Sequence, residues 1–243
     1  MISTEDLLST SSNEELEPLV QYIIERGGWT ERLSGKTRYK EHSPSHREYS
    51  DLILQEIIEF GGNSLISGYR LPSYEEVAKD VAKKLKVKKP HKYDLIALEE
   101  QIIIAVIRII EKKLSAKQKS DLDEELKKFG SSFADVYLLL HDGALNGAVR
   151  AAGLYAAGRV ITETLVQQFL VQAGRAFIVP PVVALAGPIG LGVAGAWAGI
   201  NLAGPAYRVT IPCVIYIAVL RQKHMHSEIV DRHNKQKGDF FDG

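Results

Sequence analysis

The side chains able to do chemistry are scattered along this chain and do not gather into a motif. His141 stands beside Asp142, with Ser131 and Ser132 shortly upstream; these are the residue types of an acyl-transfer triad. Sequence neighbours on one helix rarely meet in catalytic geometry, so no nucleophile is singled out. His224 and His226 are two residues apart, and a helix turns such a pair to different sides, whereas helical metal ligands are spaced three or four apart. With His233 they read as part of a solvated, mildly basic tail. Gly187 to Gly195 is glycine-rich, but no strand precedes it and no Lys-Ser or Lys-Thr pair or ribose-binding acid accompanies it, so it does not form a phosphate cradle. Lys83, Lys84, Lys86, Lys88 and Lys89 cluster at a helix end where phosphates or acidic lipid headgroups could touch them. Without interleaved aromatics, a solvated helix C-terminus is the plainer account. Phe60, Gly61, Gly62, Asn63 and Ser64 could line an anion-binding nest, although glycine after a helix is ordinarily a cap. The spacing therefore predicts no catalytic residue, no metal and no cofactor, and a non-enzymatic protein. The alternative is a hydrolase or nucleotide-dependent enzyme whose site forms only in three dimensions, around Tyr207, Arg208, His141 or Asp142.

The elements that must position these groups are helices. Ser12 with Glu15 is a capping-box pattern, followed by Leu16, Leu19, Val20, Ile23 and Ile24 at helical spacing until Gly27 and Gly28. Trp29 to Arg47 has no apolar period and reads as a connector folded back on the body. Tyr49, Leu52, Ile53, Ile57 and Phe60 share one helix face, with Gly61 expected as the left-handed stop. Ser73 with Glu76, after Pro72, opens the clearest helix, whose acids lie in the first turn and whose lysines lie near the last. Asp94 caps a helix from Leu95 to Leu114 that is apolar over more than half its circumference and belongs at the centre of a core. Ser115 with Gln118, and Ser132 with Asp135, start two more. The run from Val209 to Leu220 lacks strand alternation. The fold class is all-α: a multi-helix bundle with an apolar, Gly/Pro-rich C-terminal helical block.

That block dominates the composition. The chain has 243 residues, equal numbers of acids and bases and a single cysteine, Cys213. No sequence-wide field steers it toward nucleic acid, and no intramolecular disulfide can form. Between Ala176 and Tyr207 there is no charged side chain. Phe177 to Ile200 would span roughly 36 Å as a helix, enough to cross a hydrocarbon core of about 30 Å, although Pro180, Pro181 and Pro188 interrupt it. Gly187, Leu191, Gly195, Gly199 and Ala203 recur every fourth residue, a stripe that lets another helix approach closely. Ile211 to Leu220, about 15 Å if helical, is too short to cross alone. Two accounts of the block stay open: the buried centre of a bundle, or insertion into a membrane with Arg221, Lys223, Arg232, Lys235 and Lys237 on the cytoplasmic side.

The domain organisation expected is a small N-terminal helical segment over 1–40, an amphipathic helical body over 41–142, an apolar Ala/Gly-rich block over 143–222 and a polar tail over 223–243. The polar, acidic opening to Glu17 lacks a secretory signal. The expected setting is the cytoplasm, with association to the inner face of the membrane through the block. Expected partners are a protein, membrane lipid or a second copy of the chain, but not nucleic acid.

Four stretches carry a family resemblance: Ala206-Tyr207-Arg208-Val209-Thr210-Ile211-Pro212, the Phe60-Gly61-Gly62-Asn63-Ser64 corner, Gly35-Lys36-Thr37-Arg38, and Val81 to Val87 with its Lys-Lys-Leu-Lys core. Over most of its length the chain resembles the YaaW family of uncharacterised bacterial proteins. Thr4 to about Thr37 is similar to the small N-terminal domain of unknown function in such proteins, and the middle is more loosely similar to helical ubiquinol-cytochrome c assembly chaperones. Ser67 to Pro72 departs from the family's more glycine- and basic-rich turn. The resemblance implies no reaction, cofactor or catalytic residue; through the chaperone analogy it implies a chaperone-like role, and such an analogy of fold does not transmit function.

Overall fold

The structure, a computed structural model, describes residues 2–27, 31–62, 70–112, 114–128, 131–132, 134–136, 138, 150, 152–160 and 205–241. The stretch from Phe177 to Ile200, the stripe Gly187, Leu191, Gly195, Gly199 and Ala203, and Asn63, Ser64, His141 and Asp142 lie outside the described residues. Within them the secondary structure is helical, with no strand. The helices are α1 (Thr4–Thr10), α2 (Asn13–Gly27), α3 (Thr37–His42), α4 (Ser50–Gly62), α5 (Tyr74–Lys84), α6 (Leu95–Glu111), α7 (Ala116–Lys128), α8 (152–160) and α9 (Pro205–Phe241).

Local chemistry sets the helix starts. Ser12 and Glu15 close a capping box before α2: the Ser12 N–H donates to the Glu15 carboxylate and the Glu15 N–H to Ser12 Oγ. Ser73 and Glu76 do the same at α5, and Asp94 accepts from the Ala97 N–H at α6. Ser115 with Gln118, and Ser132 with Asp135, make the reciprocal bonds that their spacing predicts. Each such cap is worth on the order of 1 kcal/mol.

Three local expectations are corrected. The N-terminal segment contains an additional helix, α1, capped by Ser3, which buries Leu7 and Leu8. The connector is folded: Leu33–Gly35 and His46–Tyr49 are 3-10 turns flanking α3. It has no apolar period because single residues anchor it, with Leu33, His46 and Tyr49 buried and Arg38 holding Asp51 and the Glu48 carbonyl. Gly61 is not a left-handed stop. It is helical, and a Cβ there would fall 2.3 Å from Val77 Cγ2. Glycine serves at this position for close approach of α4 and α5.

The centre of the molecule is α9. Residues 209–222 are buried on every side, and α9 contacts α2, α4, α5, α6 and, more lightly, α1. Gly158 of α8 meets it as well, since a Cβ there would sit 2.3 Å from Val219 Cγ2. A helix apolar all round belongs in a core or in lipid, and for Ile211 to Leu220 the choice falls on the protein core. The boundary placed between 222 and 223 falls inside this one helix, about 56 Å long at 1.5 Å per residue. No helix of the described residues is long and apolar enough to cross a membrane. α6 packs on α5 and α9 with Ile102, Ile103, Ile104, Val106, Ile107 and Ile110 buried, each contributing roughly 1.5–3 kcal/mol by leaving water.

Candidate functional site at the corner of α5 and α9

Two stretches that carry the family resemblance meet in space. Tyr207, in the first turn of α9, donates its hydroxyl to Asp80 Oδ2 of α5 at 2.8 Å. The Lys84 ammonium lies 4.7 Å from the centre of the Tyr207 ring, within cation–π range. Burial, the Asp80 hydrogen bond and the Asp80 charge push the Tyr207 phenol up to about 12, so it stays a neutral donor. Arg208 is exposed and forms no ion pair with a described residue. Thr210 and Pro212 are buried, and Pro212 lacks the N–H that would have bonded the Arg208 carbonyl one turn back.

The end of α5 is unusual. The Val87 N–H donates to the Ala82 carbonyl and the Lys86 N–H to the Lys83 carbonyl, the bond pair of a Schellman stop. The left-handed residue in that motif is ordinarily glycine; here it is Lys86, at φ 61°. Lys89 is also left-handed, at φ 51°. They are the two positive-φ residues other than glycine among those described, both lysines, three positions apart in one turn. Buried Leu85 and Pro90 and half-buried Val87 pin that turn to the core, so Lys83, Lys86, Lys88, Lys89 and Lys92 face solvent. None of the five forms an ion pair with a described residue. The neighbouring acids are engaged, Asp80 with Tyr207 and Asp94 as a helix cap.

The Phe60 corner abuts the opposite end of α5. Phe60 is buried, Gly61 lies against Val77, and a Cβ on Gly62 would come 3.2 Å from Pro72 Cδ. Helix α5 thus connects both motifs: its start fits against Phe60-Gly61-Gly62 and its end against Tyr207.

Two buried polar clusters escaped sequence reading. Glu99 of α6 and Arg221 of α9 form an ion pair at 0% and 1% exposure. Arg221 Nε donates to Glu99 Oε2 at 2.6 Å and Nη2 to Thr4 Oγ1 at 2.8 Å, while Nη1 donates to the Ile2 carbonyl at 2.9 Å. The Tyr74 hydroxyl donates to Glu99 Oε1 at 3.0 Å. Burial raises the Glu99 carboxyl above its ordinary value, against the opposing pull of Arg221 and Tyr74. Sequence reading set Arg221 among the bases flanking the apolar block; it lies inside the core. The available signal was a lone base that continues the periodic run 209–220 without a break. Next to it Gln222 is buried with both amide atoms unpartnered. In the second cluster, His46 bridges Glu17 and Tyr49, with Nε2 on the Glu17 carboxylate and Nδ1 on the Tyr49 hydroxyl. The order carboxylate, imidazole, hydroxyl is that of a proton relay, but Tyr49 is 0% exposed and His46 3%, so no substrate reaches them and the trio braces the 3-10 turn against α2.

The histidine tail is also corrected: α9 continues through it, and His226 is half-buried and stacked on Tyr155 at 6.4 Å. Among the described residues no group of three or more His, Cys, Asp or Glu side chains could hold a metal ion. Cys213 is fully buried, and burial alone raises its thiol far above the ordinary range.

No family model matches the chain, and no solved structure does. Curated relatives do. A UPF0174 protein of Helicobacter pylori strain 26695 is 29% identical over 205 residues, covering 79% of this chain and 97% of its own length. Another, of H. pylori strain J99, is 29% identical over 210 residues and 79% of each chain. UPF0174 protein YaaW of Escherichia coli K12 is 27% identical over 236 residues, covering 89% of this chain and 92% of its own. Similarity to UPF0174 proteins, YaaW among them, thus runs over most of the chain and supports its resemblance to the YaaW family of uncharacterised proteins.

Proposed function

We propose that this is a non-enzymatic helical protein that acts through contacts: its helical body offers a surface to a protein partner in a chaperone-like manner, and the apolar block Phe177 to Ile200 attaches it to the inner face of a membrane. The observation that carries this is the use made of the reactive side chains. Glu99, Arg221, His46, Tyr49 and Cys213, the groups most suited to acid–base or nucleophilic work, are sealed in the core at 0–3% exposure, and all but Cys213 are tied to partners. Buried, fully partnered groups of this kind hold elements in register. Bases without an ion pair to a described residue gather at the surface in the turn after α5 and at Arg208 in the first turn of α9.

The test is fractionation of the expressed full chain into soluble, salt-extracted and detergent-extracted pools, with cross-linking of associated protein in each. Wild type is expected in the extracted pools, and Gly195→Leu, which thickens the small-residue stripe, is expected to shift toward the soluble pool or lose its associated protein. A chain found wholly in the soluble pool, with no associated protein, defeats the proposal.

A further inference from the structure

The lysine turn after α5 is built in a way that a solvated helix end does not require. Residues that stop a helix in the left-handed region are glycine or asparagine by preference, because a side chain there crowds the backbone. The chain places lysine at two left-handed positions, Lys86 at the stop of α5 and Lys89 ahead of the 3-10 turn Pro90–Lys92, and accepts the cost twice within a few residues. It then fixes the turn to the core through Leu85, Val87 and Pro90, so the charges are presented on a rigid platform. Five exposed lysines, Lys83, Lys86, Lys88, Lys89 and Lys92, have no acidic partner among the described residues, and Arg208 adds a sixth charge beside Tyr207, the residue that packs on Lys84. Of the rings in or beside the patch, Tyr207 is half-buried under Lys84 and bonded to Asp80 and Tyr93 is half-buried against the core, which leaves His91 as the one ring fully open to solvent among the described residues there. A single imidazole is not the row of exposed stacking faces that bases use, which favours a surface of phosphate headgroups over a nucleic acid. In sequence the patch also adjoins the apolar block, whose end, Ile200, precedes Arg208 by eight residues.

Building on the membrane attachment proposed above, we propose that the Lys83–Lys92 turn and Arg208 form a docking face for anionic phospholipid headgroups. The face sets which side of the body meets the bilayer and selects membranes by their charge. Apolar insertion alone would be indifferent to headgroup charge; this face makes attachment depend on it, because each base near an anionic surface strengthens partitioning roughly fivefold and is screened by salt.

The experiment is flotation of the full chain with two sets of vesicles, phosphatidylcholine alone and phosphatidylcholine carrying about a third phosphatidylglycerol, at about 0.15 M and about 1 M salt, where the screening length falls from ~8 to ~3 Å. Wild type is expected to float with the anionic vesicles and to be released by high salt. The triple variant Lys86→Gly, Lys88→Gln, Lys89→Gly is expected to bind them about a hundredfold more weakly. Two of those changes relieve left-handed backbone, so the variant keeps or gains thermal stability and lost binding cannot come from misfolding. Equal binding to neutral and anionic vesicles, or an unchanged triple variant, overturns this inference and leaves membrane attachment through the block standing. Failure to bind either vesicle sinks both. Lysine-dependent retention on a duplex oligonucleotide with no vesicle binding overturns the lipid assignment in favour of nucleic acid.

Discussion

Replacing Arg221 by methionine removes one half of a pair in which both side chains are essentially unexposed, 1% and 0%. The apolar stem is kept and the guanidinium is lost, so Glu99 keeps only the Tyr74 hydroxyl as a donor, and the N-terminal segment loses both bonds that tie Ile2 and Thr4 to α9. Stripping one partner from a buried ion pair costs about 3–5 kcal/mol, because the remaining charge has neither water nor counter-charge. For a chain of this size that is a fall in Tm of roughly 6–20 °C, at ~2–4 °C per kcal/mol. Glu99→Met should cost a similar amount by orphaning Arg221. The double variant Glu99→Met, Arg221→Met replaces the pair by apolar volume and should stand within about 2–3 kcal/mol of wild type, the residue being the unsatisfied hydroxyls of Tyr74 and Thr4. Urea unfolding of all four proteins, followed by far-UV circular dichroism, measures the cycle. Strict additivity of the two single costs, or a single Arg221→Met cost below about 1 kcal/mol, would refute the claim that this pair holds α1, α5, α6 and α9 together.

Gly61→Ala should destabilise by about 1–3 kcal/mol, since its Cβ would fall 2.3 Å from Val77 Cγ2 and overpacking outweighs the gain in helix propensity; in a Val77→Ala background the same change should turn neutral or favourable, as thermal melts of the four proteins would show. Gln222→Met should stabilise by about 1–3 kcal/mol by removing a buried amide with no partner, and a loss of stability instead would mean that the amide is engaged. Cys213 should react with a thiol reagent only at the rate of unfolding, because it is buried and its thiol is held protonated; rapid stoichiometric labelling of the folded chain would contradict its place in α9. The Glu17 carboxyl is held below the usual 4.5 chiefly by its bond to His46. Its contribution is therefore present above that value and lost as pH falls through the lower folded value, so Glu17→Gln should be less stable than wild type at neutral pH and converge with it in acid. Parallel pH–stability curves would remove that contribution.

Which parts of the molecule could be read in advance follows from the range of the interactions that decide them. Capping boxes at Ser12, Ser73, Ser115 and Ser132 and the apolar period of α6 involve residues three or four apart, so the sequence contains both partners of each interaction side by side, and the all-α class and most helix starts follow from them. α1 is not legible because its buried apolar residues are only Leu7 and Leu8, beside Thr4, too few for a period to register. The short helices within the connector are not legible because long-range anchors, and no periodicity, fold it. Gly61 was assigned to the wrong cause because a glycine that ends a helix and a glycine that admits a neighbouring valine are the same letter.

Local sequence is enough to make this chain helical, to start most of its helices and to require that the run after Arg208 hide its apolar surface. Tertiary structure decided what hides it and which charges are spent in doing so. Arg221 meets Glu99 across 122 positions and Tyr207 meets Asp80 across 127; a charge looks the same in sequence whether it will be solvated or paired. Only the packing of α9 among α2, α4, α5 and α6 separates Arg221, enclosed with its carboxylate, from Arg208 and the lysine turn, left facing outward. Burial of a charge is a property of the surroundings that the chain assembles, and those surroundings are made by residues far away in sequence.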